Sequence, residues 1–271
     1  MSEKAPYPTL PILLVLFVVG VAGVAAYYWL RGSEPQVEKF TTPPLSSGPI
    51  GKPEVRHPIG RAGASGALPA LTESDGPLRE EAQALLANAP LQKLFHLDTI
   101  VRRIVVTIDE LPREKIAQRY NIAKPVPGRF RTRGKGDSAK LSAANYERYV
   151  PYVRLVESVD TQKLVALYVH FYPLFQEEYE NLGYPGRYFN DRVIETIDHL
   201  LAAPEIHEPI ELIQPKVMYE FADSRLERLS VGQKIMIRMG PENAARIKAK
   251  LREIREALVA NSREADKTAL R

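Results

Sequence analysis

The pattern of apolar and polar positions opens with an uncharged apolar run from residue 10 to residue 30. A helix of about 21 residues rises about 31 Å, which matches the hydrocarbon thickness of a bilayer. Tyr27, Tyr28 and Trp29 stand at the C-terminal end of the run, where aromatic rings favour the level of the lipid headgroups. The pattern therefore predicts a single transmembrane helix over residues 10–30, preceded by a short tail of residues 1–9.

A cleaved signal peptide is the alternative, because the small residues "VAA" before Tyr27 form an acceptable cleavage site. The run is longer than the usual apolar core of a signal peptide, and Lys4 is the only basic residue before it, which favours an uncleaved span. Basic residues do not decide the orientation, since Arg31 and Lys39 balance Lys4 and the N-terminal amine. A short tail before a large body is typical of a bacterial signal anchor. We therefore expect a single-pass protein of the bacterial inner membrane with a periplasmic body.

A segment rich in proline and glycine, residues 31–71, separates the predicted span from the rest of the chain. Large apolar residues are sparse in it, so it lacks the surface that a folded core would bury. A random coil of about 40 residues has its ends roughly 35 Å apart, and prolines extend it further. We predict a disordered linker that lets the body act at a distance from the bilayer.

From residue 72 onward, apolar residues recur at the spacing of amphipathic helices. Ile100, Ile104, Val105 and Ile108 share one face of "LDTIVRRIVVTIDEL". The stretch "TQKLVALYVHFYPLFQEEYENLG" is apolar nearly all round in its first half, which predicts the central buried helix, with a bend at Pro173. The narrow apolar stripe of the last predicted helix consists of Ile247, Leu251, Ile254 and Leu258.

Short polar side chains just before these patterns predict where the helices begin, since they accept the first free main-chain N–H groups. The predicted N-caps are Asp75, Ser142, Asp160, Asn190 and Ser230. The stretch "EPIELIQPKVMYEF" alternates like a short strand or hairpin, and "PVPGRFRTRGKGDSAK" is typical of a basic, exposed loop or hairpin. We predict a mainly α protein. It has one compact helical domain over residues 72–262 with at most a small β-hairpin, followed by a disordered tail over residues 263–271.

Composition narrows the chemistry that this domain can perform. The chain has 37 basic and 33 acidic residues, and a net charge of +4 by itself implies no nucleic-acid partner. It has no cysteine, which excludes disulfides, thiolate nucleophiles and cysteine zinc sites. The sequence contains no Walker loop, no G-x-G-x-x-G, no G-x-S-x-G and no H-E-x-x-H. No catalytic residue, cofactor or metal site is therefore predicted.

Titratable residues leave one alternative hypothesis open. Asp191, Glu195 and His199 recur along one predicted helix, but a metal site needs three or four ligands that converge, usually from more than one element. Paired carboxylates such as Glu177 and Glu178 would suit acid–base chemistry only if burial raised the pKa of one partner. The alternative is an envelope enzyme or ligand-binding protein with a concealed pocket of carboxylates and tyrosines.

The tyrosines indicate a candidate binding surface. Tyrosine rings and hydroxyls together can grip a peptide or a sugar, and the chain contains 13 tyrosines. Those of the predicted central helix are expected in the core, whereas "LGYPGRYF" forms a turn in which aromatic and Arg side chains can face outward. The candidate partner-binding residues are Tyr146, Tyr149, Tyr184, Arg187 and Tyr188.

Several stretches taken together are similar to one known family. They are "LPALTESD", "NYERYVPYV", "LYVHFYPLFQEEYENLGYPGRYFNDRVIETIDHLLAAP", "PKVMYEFAD", "LERLS" and "GQKIMIRMGPENAARIKAKL". Over about residues 65–258 the chain resembles the bacterial domain of unknown function three thousand and fourteen. The resemblance implies an envelope protein with one N-terminal span, of the kind found in Gram-negative bacteria. It implies no activity, so no functional residue is carried over.

These observations favour a membrane-anchored cell-envelope protein that works as a non-enzymatic interaction or scaffold module in the periplasm. The linker motivates this hypothesis, because it keeps a folded domain near the membrane and leaves it free to turn. The expected partners are the lipid bilayer, through residues 10–30, and another envelope protein or polymer. Small residues in the span, such as Gly20 and Gly23, would also permit a homo-oligomer.

Overall fold

The computed structural model describes most of the chain from residue 55 onward. The described residues are 55–59, 68–85, 91–115, 120–126, 128–207 and 209–269. The predicted transmembrane helix over residues 10–30, the tail before it and the linker up to residue 54 lie outside these ranges. Within them, no helix is long and apolar enough to cross a membrane.

The described residues form a mainly helical, compact domain. Its helices are α1 (Asp75–Leu85), α2 (Leu91–Leu94), α3 (Ile100–Glu110), α4 (Val150–Ser158), α5 (Thr161–Asn181), α6 (Phe189–Leu201), α7 (Ser224–Glu227), α8 (Val231–Arg238) and α9 (Pro241–Ala269). Helix α5 packs against α3, α6 and α9, while α9 also contacts α4 and α8. The predicted fold class is confirmed at this level.

Helix α5 is the central helix that its apolar composition predicts. Its buried apolar residues cover most of its circumference, and Pro173 lies inside the helix on the exposed side. These residues are Leu164, Val165, Leu167, Tyr168, Phe171, Tyr172, Leu174, Phe175 and Tyr179. Exposing apolar side chains to water is unfavourable, so a helix that is apolar nearly all round is stable only when the other long helices pack around it.

The predicted stripes of α3 and α9 both face the core. Ile100, Ile104, Val105 and Ile108 are buried on α3, as the periodicity predicts. The four residues of the α9 stripe are buried as well. Helix α9 continues to Ala269, through most of the segment predicted to be a disordered tail. The helix extends past the domain end predicted at residue 262 because Arg263, Glu264 and their neighbours are good helix formers.

Three predicted N-caps are confirmed. In each of them the side-chain acceptor lies two or three positions before its main-chain donor. The side chain of Asp160 accepts from Lys163 N (2.9 Å), and that of Ser230 accepts from Gln233 N (3.1 Å). Ser142 accepts from Ala144 N (3.3 Å) and begins a 3₁₀ helix over Ala143–Arg148, which leads into α4.

The other two predicted N-caps are wrong. Asp75 is the first residue of α1, and its carboxylate accepts from Thr99 N (2.6 Å) and Ile100 N (2.7 Å), so it caps α3. Asn190 lies inside α6, and its side-chain amide donates to His57 O (2.9 Å). In both cases the side chain forms its hydrogen bonds with main-chain groups far away in the sequence, and it does not cap the start of its own helix.

Two small hairpins pack together as a separate lobe. Strand β1 (Thr132–Arg133) pairs with β2 (Lys140–Leu141), and β3 (Leu212–Ile213) pairs with β4 (Glu220–Phe221), both antiparallel. We call residues 129–141 and 210–221 the hairpin lobe. Its own small core consists of Ala139, Leu141, Ile210, Leu212 and Phe221, with Ile237 of α8.

The expectation of at most one hairpin is corrected by this second pair of strands. The sequence alone left a loop and a hairpin open for the basic, glycine-rich stretch. The chain reverses there through Gly134 (φ +83°) and Gly136 (φ +57°), a conformation that side chains with a Cβ rarely adopt.

Candidate functional site

The turn between α5 and α6 carries three of the five predicted binding residues. We call residues 183–188 the connector turn. Gly183 and Gly186 adopt positive φ angles of +102° and +74°, which lets the chain reverse within six residues. Arg187 is exposed, while Tyr184 and Tyr188 are half-buried and point toward different neighbours.

Tyr184 fastens one side of the connector turn to the end of α3. Its ring stacks on that of Tyr179, with centroids 4.6 Å apart. Its hydroxyl donates to Asp109 Oδ2 (3.1 Å) and accepts from Arg113 (2.7 Å). Burial, followed by the nearby Asp109 carboxylate, raises the pKa of Tyr184 above the usual value of 10. The hydroxyl therefore stays protonated at neutral pH and acts as a hydrogen-bond donor.

Asp109 is a buried carboxylate held by two arginines. Its side chain is 8 % exposed, and Oδ1 accepts from Arg192 Nε (3.0 Å) while Oδ2 pairs with Arg113. Arg192 also donates to the main-chain oxygen of Asp109 (2.6 Å) and pairs with Glu195 (3.1 Å). Both carboxylate oxygens are engaged by cations, so this carboxylate and Tyr184 are arranged to hold three elements together. An acid–base role would need an oxygen free to take a substrate proton.

Tyr188 faces the opposite side, where part of the predicted linker is bound. Its hydroxyl accepts from Ile59 N (2.7 Å), and its ring lies 5.3 Å from that of Tyr172. The next polar residues of α6 continue the contact. The carboxylate of Asp191 accepts from Arg56 N (3.1 Å) and His57 N (2.8 Å). Residues 55–59, here called the bound segment, therefore contact the domain although they belong to the region predicted as a free linker.

Every hydrogen bond of the bound segment to the connector turn and α6 involves main-chain atoms of the segment. Two N–H groups donate to one carboxylate, a third donates to a phenol, and a carbonyl accepts from the Asn190 amide (2.9 Å). No side chain of the segment takes part in these bonds. Asn190 Oδ1 is buried without a partner among the described residues. The site thus binds a bent stretch of main chain, with the Ile59 side chain packed against the helical core, and keeps one acceptor unused.

Gln176 supports the site from behind. Its side chain accepts from Phe189 N (2.8 Å) and from the Tyr172 hydroxyl (2.9 Å), and it donates to Arg187 O (2.8 Å). Burial raises the pKa of Tyr172 well above its ordinary value, so this hydroxyl remains a donor. One α5 side chain therefore fixes the position of the connector turn and the first residue of α6.

Arg187 is the outward-facing member of the predicted set. Its main-chain atoms are bound to Tyr184 O and Gln176, but its guanidinium makes no hydrogen bond to any residue that the structure describes. Arg113, also on this side, has a side chain that is 47 % exposed. The outer face of the connector turn is consequently cationic.

The structure does not place Tyr146 and Tyr149 beside the connector turn. Tyr149 is 1 % exposed in the main core, and burial raises its pKa. The Tyr146 ring packs against Gly240, where an added Cβ would lie 2.5 Å from the ring. Asn243 donates to Tyr146 O (2.9 Å). These contacts attach the 3₁₀ helix to the junction of α8 and α9, and none of them reaches residues 183–188.

The other titratable groups singled out from the sequence separate in space. Asp191 holds the bound segment and Glu195 pairs with Arg192, while His199 Nε2 lies 2.8 Å from Ser230 Oγ. Burial, followed by the charge of Arg192, lowers the pKa of His199. In the part of the chain that the structure describes, no three acidic or histidine side chains converge as a metal site would require.

Glu178 resembles the concealed carboxylate of the alternative hypothesis in being buried. Burial raises its pKa, and its carboxylate accepts from Arg102 (3.1 Å). Its sequence neighbour Glu177 is exposed, so the two carboxylates do not form a pair in one environment. The acid–base arrangement considered for them is therefore not assembled.

The residues that do most to build this site are not among those predicted from the sequence. Asn190 and Asp191 look like a helix start, and their partners lie more than 130 positions away. Asp109 carried one usable signal, since an acidic residue directly after Ile108 interrupts the apolar face of a helix. Such a residue is either solvent-facing or paired, and only the fold shows that it is paired.

Comparison with known proteins gives one result. The chain matches, over residues 100–255, the family described as "Protein of unknown function (DUF3014)". Neither the curated proteins nor the solved structures give a match. The matched stretch runs from α3 into α9, includes the connector turn and covers more than half of the chain. The resemblance seen in the sequence is confirmed, and the chain belongs to the family of proteins of unknown function DUF3014.

Proposed function

We propose that the protein is a non-enzymatic interaction module of the bacterial cell envelope. Residues 10–30 anchor it in the inner membrane, and the helical domain works in the periplasm. Its partner is another envelope protein, which offers a short segment of exposed main chain to the surface formed by the connector turn and the start of α6. Tyr188, Asn190 and Asp191 bind that segment.

The observation that carries the proposal is the capture of the bound segment through its main chain. Four hydrogen bonds hold residues 56, 57 and 59, and all of them use atoms that every peptide possesses. A surface that binds main-chain groups accepts segments of other proteins in the same way, and neighbouring side chains then provide the selectivity. The unused buried acceptor of Asn190 leaves room for one more hydrogen bond, which a better-matched ligand would form.

The cationic outer face of the connector turn supplies a source of selectivity. The Arg187 guanidinium is exposed and has no partner among the described residues, and Arg113 is half-exposed beside Tyr184. Arginine forms paired hydrogen bonds with carboxylates. We therefore expect the partner segment to carry acidic side chains next to the stretch whose main chain is bound.

The bound segment competes with any partner for the same groups. A ligand tethered in the same chain has an effective concentration on the order of millimolar, so a partner must bind more tightly or be held close. Displacement of the segment lengthens the free linker by several residues. Partner binding would then also increase the distance that the domain can reach from the membrane.

A photo-cross-linking amino acid introduced at Arg187 in the full-length protein tests the proposal in living cells. The matched control places the same group at Gln162, an exposed residue at the other end of α5, roughly 30 Å away along the helix. We expect one protein adduct from position 187 and none of that mass from position 162. The same adducts from both positions, or none from position 187, would contradict the proposal.

A second variant releases the site without changing any of its residues. Arg56→Pro, His57→Pro and Ile59→Pro remove the three donors of the bound segment, because proline has no main-chain N–H. If the segment competes with the partner, the adduct yield at position 187 rises several-fold. Val55→Pro is the control, since no hydrogen bond of Val55 to a described residue is present. A lower yield in the release variant would mean that the segment is part of the surface that the partner binds.

A further inference from the structure

Both turns of the hairpin lobe lie at the same end of its strands. Strand β2 pairs with β1 on one side, and on the other side Lys140 forms an antiparallel bridge with Glu211. Main-chain bonds from Leu141 N to Ile210 O and from Leu212 N to Ala139 O, both 2.8 Å, extend this pairing. The order is therefore β1-β2-β3-β4, with the chain reversing at each step. As a result the β1–β2 turn and the β3–β4 turn meet at one end, which we call the lobe tip.

Basic side chains line β1 and its turn at every second position. In an extended strand alternate side chains point to the same face, so Arg131 and Arg133 share one side, and Lys135 follows in the turn after Gly134. They are exposed, and none forms an ion pair with a side chain that the structure describes. The four residues are Arg129, Arg131, Arg133 and Lys135. Residues 128–140 contain five basic residues and one acidic residue, so this hairpin carries a net positive charge; of the five, Lys140 on β2 pairs with Glu211 (3.5 Å).

The two residues just before β1 attach the strand to the domain. The Phe130 ring stacks on Tyr219, with centroids 5.6 Å apart. The side chain of Asn145, which is fully buried, accepts from Arg131 N (3.0 Å) and donates to Arg131 O (2.5 Å). The strand is thus attached to the domain through its backbone and through Phe130. Its basic side chains remain free for a partner.

Exposed apolar side chains occur at the lobe tip beside these cations. Val217 is 59 % exposed and Ile213 is 43 % exposed, and among the described residues Val55 is the only other large apolar residue exposed to this degree. Lys216 adds one more exposed cation to the β3–β4 turn. Large apolar side chains that stay in water next to a cationic surface indicate an interaction site.

We propose that the lobe tip docks on an anionic lipid bilayer. Val217 and Ile213 enter the headgroup region, and the basic side chains of β1 contact lipid phosphates. Apolar burial and attraction to anionic lipids add together in such peripheral contacts. This surface is separate from the site that holds the bound segment, so the inference does not rest on the proposed partner.

A lipid surface fits the lobe tip better than a nucleic acid does. Proteins that bind single-stranded nucleic acid stack bases on exposed aromatic rings. In the lobe, Phe130 and Tyr219 stack on each other, and the exposed apolar residues at the tip are aliphatic. Aliphatic side chains gain free energy by leaving water for acyl chains, and they offer nothing to a base.

The absence of cysteine makes a direct test possible. A Val217→Cys variant of the full-length protein carries an environment-sensitive fluorophore and is reconstituted in nanodiscs. The discs contain phosphatidylcholine alone, or phosphatidylcholine with phosphatidylglycerol. We expect a blue-shifted and brighter signal only in the anionic discs, reversed by high salt. Gln162→Cys, at the exposed start of α5, is the control and should give the same signal in both discs.

A quadruple variant isolates the contribution of the cations. Arg129→Gln, Arg131→Gln, Arg133→Gln and Lys135→Gln remove charges whose side chains have no partner among the described residues, so the thermal melting curve should not change. The signal that depends on anionic lipid should fall about tenfold or more. The inference is overturned if position 217 responds equally in both kinds of disc, or if the response survives in the folded quadruple variant. A response to a single-stranded RNA in neutral discs would equally overturn it in favour of a soluble anionic polymer.

Discussion

At the scale of single residues, the buried carboxylate of Asp109 joins α3, α6 and the connector turn. Asp109→Asn should lower the free energy of unfolding by about 3 kcal/mol, because it leaves the Arg192 guanidinium with only the exposed Glu195 carboxylate in a place where water is scarce. The side chain of Arg192 is only 16 % exposed. Urea denaturation followed by circular dichroism measures the change.

Asp223→Asn is the matched control for this prediction. Asp223 pairs with Arg225 (2.8 Å), whose side chain is 83 % exposed, so water screens the interaction. Asparagine also keeps the acceptor that Asp223 offers to Arg225 N. We expect a much smaller loss than for Asp109→Asn. Equal losses would show that Asp109 does not act as a buried ion pair.

His199 makes stability depend on pH, with a sign that follows from its environment. Burial lowers its pKa in the folded protein below the ordinary 6.5, so the unfolded chain takes up a proton first as the pH falls. Its contribution to stability is therefore complete above about pH 6.5 and is lost as the pH decreases toward the lowered pKa, by at most about 1.4 kcal/mol per pH unit.

The variant His199→Gln should reduce this pH dependence. Glutamine can still accept a hydrogen bond from the Ser230 hydroxyl, but it does not titrate. The loss of stability between about pH 7.5 and pH 5.5 should therefore become smaller. Burial also lowers the pKa of His96, but His96 is present in both proteins and cancels in the difference. Equal pH dependence of both proteins in urea titrations would refute the assignment to His199.

At the scale of elements, Gly232 allows α8 to approach α6 and the end of α3. Its N–H donates to Leu111 O (2.9 Å), and an added Cβ would lie 2.5 Å from a methyl group of Leu200 and 3.0 Å from Leu111 O. Alanine in a helix usually stabilises relative to glycine. At this position we expect Gly232→Ala to destabilise by about 1–3 kcal/mol, because the core would be overpacked.

Gly76→Ala, in the first turn of α1, is the control for the element prediction. Nothing lies within 4 Å of a Cβ added there. Without a steric conflict, the smaller entropy of the unfolded alanine chain should stabilise the protein by about 0.4–1 kcal/mol. Thermal or urea unfolding of both variants gives the two signs. A stabilising Gly232→Ala would mean that α8 can move away from its neighbours.

At the scale of the whole molecule, the predicted span and the domain make separable contributions to location. Removal of residues 1–54 keeps the bound segment and the helical domain. We expect the full-length protein in the membrane fraction after a high-salt wash and the shortened protein in the soluble fraction, because the apolar run of residues 10–30 inserts into lipid. High salt is needed because it weakens any contact of the lobe tip with anionic lipid.

Single-cysteine labelling tests the orientation of the domain. A membrane-impermeant maleimide should label Gln162→Cys in cells whose outer membrane has been permeabilised, if the domain is periplasmic. Labelling only after lysis of the inner membrane would place the domain in the cytoplasm. If the shortened protein stays in the washed membranes, residues 10–30 are not the anchor.

Much of the helical fold follows from short-range pattern. The faces of α3, α5 and α9 were predictable because burial selects apolar residues at helical spacing, and that spacing is visible in any window of two turns. The N-caps at Asp160 and Ser230 were predictable for the same reason, since each acceptor lies three positions from its donor. Of the candidate site, the sequence located the connector turn and the exposed Arg187.

Features that depend on neighbours within a few residues could therefore be predicted from the chain alone: helix faces, local caps and glycine turns. The partners of Asp75, Asn190 and Asp191 could not, because they lie 24 to 135 positions away and are brought close only by the folded domain. A short polar side chain can form hydrogen bonds of similar strength with the main chain of its own helix and with a distant stretch of main chain. The choice between them is made by the packing of the whole core, which is a sum of many weak contacts that no single stretch contains.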